Sequence, residues 1–157
     1  MVVPKAGMVD YQALAEFRHQ IRRFLHFSEQ VVRAAGLEPR QYLLLLMLKG
    51  LPAGREPTIG TLAERLQLRH HTVSELVDRL EARALIERNR DAANRRRVLV
   101  QLTPAGDAVL QELASYSYVE LQTVGPVLVR ALTALIEEQE PVGASAGCEG
   151  NAAKPRE

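Results

Sequence analysis

The chain of 157 residues is long enough for one domain with its own core, and its composition is typical of globular proteins, with 46% hydrophobic and 25% charged residues. The formal net charge is only +1, so the total charge favours no particular class of partner. The single cysteine, Cys148, excludes an internal disulfide and favours a reducing compartment. The longest fully apolar run, Leu43 to Leu48, is far shorter than the roughly 20 residues that span a membrane, and the N-terminus lacks an apolar signal core, so we expect a cytoplasmic protein without a membrane partner.

The first fifty residues contain two helical patterns. Residues 1–9 are expected to form a flexible arm. From Asp10 to about Ala35, apolar residues recur at steps of three and four, and Gly36 is a typical C-cap. The next segment, Pro39 to Lys49, is apolar nearly all round, which predicts a buried helix.

Two short amphipathic patterns follow a loop rich in glycine and proline. The segment TIGTLAERL predicts a helix with Thr58 as its N-cap. The segment HHTVSELVDRLEA repeats the same spacing with its apolar residues, Val73, Leu76, Val77 and Leu80. Only three residues separate the two patterns, which predicts a helix-turn-helix.

A period of two then replaces the helical period. Residues Ile86 to Arg90 and Val98 to Leu102 predict two strands of a hairpin, joined by the polar turn DAAN. Between Arg83 and Arg97 the chain carries six arginines and two carboxylates, a local charge of +4.

The C-terminal third predicts two further helices. Thr103 is a plausible N-cap, with Pro104 at the first helical position. The dipeptide Gly125-Pro126 is expected to separate the long helix from a last one, because proline cannot donate the interior hydrogen bond. The tail, 141–157, is small and polar and is expected to be disordered.

These elements together resemble the MarR family, bacterial regulators named for multiple antibiotic resistance. The resemblance covers about Tyr42 to Leu110 and lies in the order of TLAERL, TVSELVDRLE, LIER, a double arginine and LTPAG. It implies a mainly α fold with a small β-wing, in which a winged helix-turn-helix lobe, 39–103, is flanked by dimerisation helices, 10–36 and 104–140. It also implies a DNA-binding transcriptional regulator, usually a repressor, that binds a pseudo-palindromic operator as a homodimer.

Three positions depart from the family pattern. Ala84 stands where the family usually has glycine after the recognition helix, and alanine costs about 1 kcal/mol if that position needs a positive φ. Asn94 replaces an aspartate that typically orients the wing arginine. Arg69 replaces the usual serine cap of the recognition helix, which loses a capping side chain and adds a cation near the phosphates.

The second helix of the helix-turn-helix is expected to contact DNA with the residues that point away from its apolar side. His71, Thr72 and Ser74 are the best candidates for reading bases, because the first turns of such a helix reach base edges. Glu75 either accepts from a cytosine amino group or pairs with Arg79. Asp78, one turn further, is expected to have an intramolecular partner. The predicted contacts on this helix are Arg69, His70, His71, Thr72, Ser74, Glu75 and Arg79.

The hairpin is expected to carry its positive charge to DNA, because cations on phosphates release counterions and a narrow minor groove attracts inserted arginine. By position, Arg96 matches the arginine that enters the minor groove in the family, with its two neighbours on the backbone or bracing the wing. Arg88 and Arg90 are interpreted as phosphate contacts. The predicted contacts in this part of the chain are Arg88, Arg90, Asn94, Arg95, Arg96 and Arg97.

The family resemblance also implies a small phenolic or lipophilic effector between the dimer helices and the DNA-binding lobe. The candidate pocket residues, which plain core packing would equally explain, are His26, Phe27, Gln30, Tyr42 and Met47. His19 and His26 lie seven residues apart and are too distant to bind one zinc ion alone, so we expect no metal and no cofactor.

The residues disfavour two other classes of function, an enzyme and a redox sensor. An enzyme is not expected, because the chain has no phosphate-binding glycine loop, nucleophile elbow or metal-ligand cluster. Redox sensing is not expected either, since Cys148 lies in an acidic segment without a cationic neighbour. The alternative function is a winged helix that binds another protein without specific DNA binding.

Overall fold

The computed structural model describes residues 9–90 and 98–137, which form five helices and one two-stranded sheet. The chain order is helix, helix, helix-turn-helix, hairpin and long helix. The elements are α1 (Tyr11–Ala34), α2 (Pro39–Lys49), α3 (Ile59–Leu66), α4 (His70–Ala82), β1 (Ile86–Arg90), β2 (Val98–Leu102) and α5 (Pro104–Glu137). The mainly α winged-helix fold is therefore confirmed. The arm up to residue 8 and the tail 141–157 lie outside the described residues.

The helix ends follow the capping chemistry of the sequence. The Asp10 carboxylate accepts a hydrogen bond from the Ala13 amide (2.9 Å) at the start of α1, and the Thr58 hydroxyl accepts from the Thr61 amide (3.1 Å) at the start of α3. Gly36 follows α1 with φ +74°, as expected of a glycine at this position. Three boundary residues predicted from the sequence, Asp10, Gly36 and Thr58, are thus close to those observed.

The core of the winged-helix lobe lies between α2, α3 and α4, and the hairpin closes one side. Ile86 and Val100 contribute the buried face of the two strands. The inner sides of the three helices supply the other fully buried side chains, among them Leu44, Leu45, Leu62, Val73, Val77 and Leu80.

The hairpin is tied to the lobe at its base. The strands are antiparallel, with Arg88 opposite Val100. The Val100 amide donates to the Pro57 carbonyl (2.8 Å), which adds the segment before α3 to the free edge of β2. The Thr103 hydroxyl donates to the Ala84 carbonyl (2.7 Å) and accepts from the Gly106 amide (3.0 Å). One side chain therefore closes the hairpin and caps α5.

The expected helix break at Gly125-Pro126 is wrong, because α5 continues through both residues. Pro126 removes one hydrogen bond to the Gln122 carbonyl but does not end the helix. Proline disfavours a helical conformation of the preceding residue mainly through that residue's Cβ, and Gly125 has none. Packing on α1 then holds both halves, with Val124 before the proline and Ala131 after it buried.

The helices outside the lobe leave large apolar side chains uncovered. Leu43 and Leu46 of α2 are each 37% exposed, so this helix is not buried on all sides within one protomer as its composition predicted. The exposed apolar side chains of α1 and α5 include Leu14, Leu25, Tyr116, Tyr118, Val119, Leu121, Val129, Leu132 and Ile136. By length and composition, one helix among residues 9–90 and 98–137, Pro104–Ile136, could cross a membrane, and 11% of its apolar window is buried.

The residue Ala84, which follows the C-terminal end of α4, provides a stability test. Ala84 has φ +55°, in the left-handed region. Alanine is less stable than glycine in this conformation, so the replacement of the usual glycine has a cost. The amides of Ala84 and Leu85 donate to the carbonyls of Glu81 (2.8 Å) and Leu80 (3.0 Å), so this backbone closes α4. We expect Ala84→Gly to raise the free energy of unfolding by about 0.5–1 kcal/mol, since relief of the left-handed strain exceeds the added freedom of the unfolded chain. Thermal and urea unfolding measure this change. Ala108→Gly, at an exposed helical position of α5, should instead destabilise the protein.

A second test concerns the contact between α5 and the entry to β1. A Cβ built on Gly106 would lie 1.8 Å from the Leu85 carbonyl oxygen. Because that neighbour is backbone, we expect Gly106→Ala to lower the free energy of unfolding by about 2–3 kcal/mol. The matched control is Gly60→Ala in α3, where the nearest atom is the Thr58 hydroxyl at 3.8 Å. Equal stability of the two variants in urea unfolding would contradict this account.

Candidate nucleic-acid interface

Helix α4 presents two opposite sides, one buried and one open. Its inner row is Val73, Leu76, Val77 and Leu80, of which none is more than 4% exposed. The predicted DNA contacts all lie on the other side: Arg69, His70, His71, Glu75 and Arg79 are exposed, and Thr72 and Ser74 are half-buried. The structure therefore brings the predicted recognition residues together on one face.

The turn between α3 and α4 fixes how the open face is presented. Gln67 ends α3 in the left-handed region with φ +53°, and the Leu68 amide donates to the Ala63 carbonyl (3.0 Å). Arg69 then occupies the N-cap position of α4 without a side-chain capping bond, as its replacement of serine predicted. Its guanidinium is left available at the end of the helix where amide groups and the helix dipole favour an anion.

Of the two partners predicted for Glu75, the structure of one chain can test only the ion pair with Arg79, and not the cytosine amino group. No ion pair between Glu75 and Arg79 occurs among the described residues. Arg79 instead faces Glu38, with 3.5 Å between Nη1 and Oε2, and both side chains are well exposed. Arg83 donates from Nη1 to the Gly36 carbonyl (2.8 Å). The end of α4 is thus tied to the corner between α1 and α2, which the sequence pattern did not reveal.

Arg88 is held inside the protomer and not presented toward a phosphate. Its guanidinium pairs with the carboxylates of Asp78 and Glu81 on α4, and its side chain is only 25% exposed. Burial alone would lower the pKa of Arg88, but hydrogen bonds and charge from Asp78 and Glu81 outweigh burial and raise that pKa above its ordinary value. The expected intramolecular partner of Asp78 is confirmed, whereas the phosphate contact predicted for Arg88 does not agree with this geometry.

The remaining wing residues are described only at the hairpin's base. Arg90 ends β1 and pairs in register with Val98. Asn94, Arg95, Arg96 and Arg97 lie outside the described residues, so their contacts to DNA stay predictions.

The predicted effector residues occupy different environments. Tyr42 belongs to the core, and Met47 packs against it. His26 and Gln30 of α1 are exposed, and Phe27 is half-buried. One depression of about 630 Å³, between the end of α2, β2 and the start of α5, is lined by other residues, including Lys49, Arg55 and Asp107. Among residues 9–90 and 98–137, no group of three or more potential metal ligands is found.

The contacts missed from the sequence are mostly long-range pairs. Asp78 and Glu81 stand three residues apart on the side of α4 that turns toward the hairpin, and an arginine follows in the next strand. That pattern could have suggested an ion pair with Arg88. Glu38 gave no such signal, because its partner Arg79 lies 41 positions later in the chain.

Part of the chain is similar to known transcriptional regulators. Residues 35–97 match the model of the MarR family. An uncharacterized HTH-type transcriptional regulator of Bacillus subtilis strain 168, YsmB, is 32% identical over 86 residues, which cover 55% of this chain and 57% of that protein.

Solved structures extend the likeness to most of the fold. The S. aureus MepR F27L mutant bound to oligodeoxyribonucleotide is 24% identical, with a TM-score of 0.63 over 83% of this chain and 98% of that chain. Bordetella bronchiseptica BpsR, whose DNA binding is regulated by 6-hydroxynicotinic acid, is 24% identical, with a TM-score of 0.60 over 81% and 97% of the two chains. The central part of the chain, residues 35–97, thus resembles the MarR family, and the fold of the chain is that of the solved winged-helix structures.

Proposed function

We propose that the protein represses transcription by binding a pseudo-palindromic DNA site as a homodimer. The observation that carries this proposal is the polar row of α4, which is open to solvent because the opposite row is buried in the lobe. A helix of this kind fits the major groove and reads base edges with the residues of its first turns. His71, Thr72 and Ser74 have that position here.

The wing supplies the second contact. Arg95, Arg96 and Arg97 stand in the sequence between β1 and β2, directly before β2. Arg96 is assigned to the minor groove, and Arg90 with its neighbours to the phosphate backbone. Asn94 would orient Arg96 by an uncharged hydrogen bond, which is weaker than one from a carboxylate. MepR, a neighbour in fold, binds an oligodeoxyribonucleotide, which supports DNA as the partner.

A second copy of the chain would cover the apolar sides of α1, α2 and α5. Exposed apolar patches of this size mark contacts with another protein. In α5 the apolar residues share the helix with Glu112, Glu120 and Arg130, a pattern that suits a protein interface with a polar rim better than a lipid environment. Two recognition helices of such a dimer would enter successive major grooves about 34 Å apart.

A small aromatic or lipophilic effector would release the DNA by favouring another spacing of the two lobes. BpsR, which shares the fold, responds to 6-hydroxynicotinic acid, a ligand of this chemical class. His26, Phe27 and Gln30 on α1 have side chains that are not part of the lobe core, so they suit this role better than Tyr42 and Met47.

DNA binding is tested by fluorescence anisotropy with duplexes enriched from a randomised pool by the protein, and with scrambled duplexes of equal composition. We expect a clear preference for the enriched duplex and affinity that falls steeply with salt. Arg96→Glu should weaken binding to the enriched duplex about 10- to 100-fold, because a cation at the groove becomes an anion. Arg18→Glu on α1 makes the same charge change outside the recognition helix and wing, and should have a much smaller effect.

The same titrations distinguish specific DNA binding from the alternative function, a winged helix that binds another protein. Absence of binding at low salt, or equal binding to both duplexes, contradicts specific DNA recognition and favours the winged helix that binds another protein.

The dimer is tested by analytical ultracentrifugation at micromolar concentration. Wild-type protein should sediment with twice the 17.4 kDa mass of one chain. The double variant Val129→Glu/Ile136→Glu should sediment as a monomer, because it would bury unpaired carboxylates in the interface. The control Ala108→Glu, at an exposed position near the start of the same helix, should remain a dimer. A monomeric wild type contradicts the proposed assembly.

A further inference from the structure

Arg88 joins the wing to the recognition helix through several hydrogen bonds from one side chain. Its Nη1 donates to Glu81, its Nη2 donates to Asp78, and Nη2 also approaches the Ser74 carbonyl at 3.4 Å. The Arg88 backbone amide donates to the second oxygen of Glu81 (3.1 Å). The contacts therefore fall on residues 74, 78 and 81, which form one stripe along two turns of α4.

The stripe that Arg88 occupies adjoins the row that faces DNA. Ser74 belongs to the predicted base-reading residues, and the Asp78 side chain is 61% exposed on the next turn. A planar guanidinium can bond two carboxylates at once in a fixed geometry, which an ammonium group cannot reproduce. Arg88 thus fixes both the distance and the angle between β1 and α4.

The local charge balance argues against a phosphate contact. Asp78 and Glu81 carry two negative charges and Arg88 carries one positive charge, so the cluster is net negative. A phosphate that approached Arg88 would meet the exposed Asp78 carboxylate, and the guanidinium would have to leave two partners to receive it. The cluster therefore keeps the DNA backbone away from this side of α4.

We propose that Arg88 is a positioning residue for sequence recognition: it sets the wing against the recognition helix so that both reach the same DNA site, and it does not itself bind DNA. This inference rests on the proposed DNA-binding function. A positioning role depends on the forked geometry of the guanidinium, whereas a phosphate contact depends mainly on its charge, so the two roles predict opposite results for a lysine variant.

The test compares Arg88→Lys and Arg88→Gln in anisotropy titrations against the enriched and scrambled duplexes over a range of salt concentrations. We expect both variants to lose about tenfold or more of the preference for the enriched duplex. The dependence of scrambled-duplex binding on salt should stay at the wild-type value for both. A phosphate contact would instead give a lysine variant close to wild type, and a glutamine variant whose salt slope falls by about 0.9 with its preference retained.

Arg69 provides the matched control, because it is an exposed cation on the same helix with no ion pair in the described part of the chain. Arg69→Lys should resemble wild type, and Arg69→Gln should lower the salt slope by about 0.9. Circular dichroism and thermal unfolding establish that each variant is folded. If Arg88→Gln does not fold, Arg88→Lys decides between the two roles, since it keeps the charge and loses the forked geometry.

A measurement without DNA separates failure of this inference from failure of the proposed function. In a double-mutant cycle of Arg88→Gln and Asp78→Asn, we expect about tenfold non-additivity in the unfolding equilibrium constant. Additive effects would overturn the connection between wing and helix, whatever the protein binds. Strong coupling in a protein that prefers no duplex would leave the connection intact and contradict only its use in DNA recognition.

Discussion

Burial of one row of α4 determines which side chains of this helix the protein presents to solvent. Each of Val73, Leu76, Val77 and Leu80 contributes about 1.5–3 kcal/mol when it is removed from water. A rotation of the helix by one position, about 100°, would expose these residues and bury charged ones in their place. The orientation of the open face of α4 is therefore a consequence of the lobe's core, which places no constraint on the polar residues of that face.

Much of the lobe follows from local patterns. The caps Asp10 and Thr58 use side-chain chemistry that acts within three residues, and the apolar spacing around Val73 assigns the inner side of α4 without knowledge of its neighbours. The change from helical to alternating period after Leu85 locates the hairpin. These features are predictable because each depends on residues that are adjacent in the sequence or one helical turn apart.

The features that were not predictable depend on tertiary structure. Pro126 ends isolated helices, but packing of α5 on α1 and the absence of a Cβ at Gly125 carry the helix past it. Arg88 belongs to a basic segment whose charge predicts a phosphate contact, whereas its ion pairs with Asp78 and Glu81 form only when the hairpin folds back onto α4. Ala84 is partly predictable. The sequence identifies alanine where the family usually has glycine, and only the structure shows that the backbone there is left-handed.

The hydrogen bond from Thr103 to Ala84 closes the hairpin at its base, so the stability of the lobe depends only weakly on the number of residues between the two strands. Both strands are fixed at their base, so residues added to or removed from the connection between them change only a loop-closure entropy, and doubling its length costs about 0.6 kcal/mol. Insertions and deletions between the two strands are therefore compatible with an unchanged core and an unchanged α4.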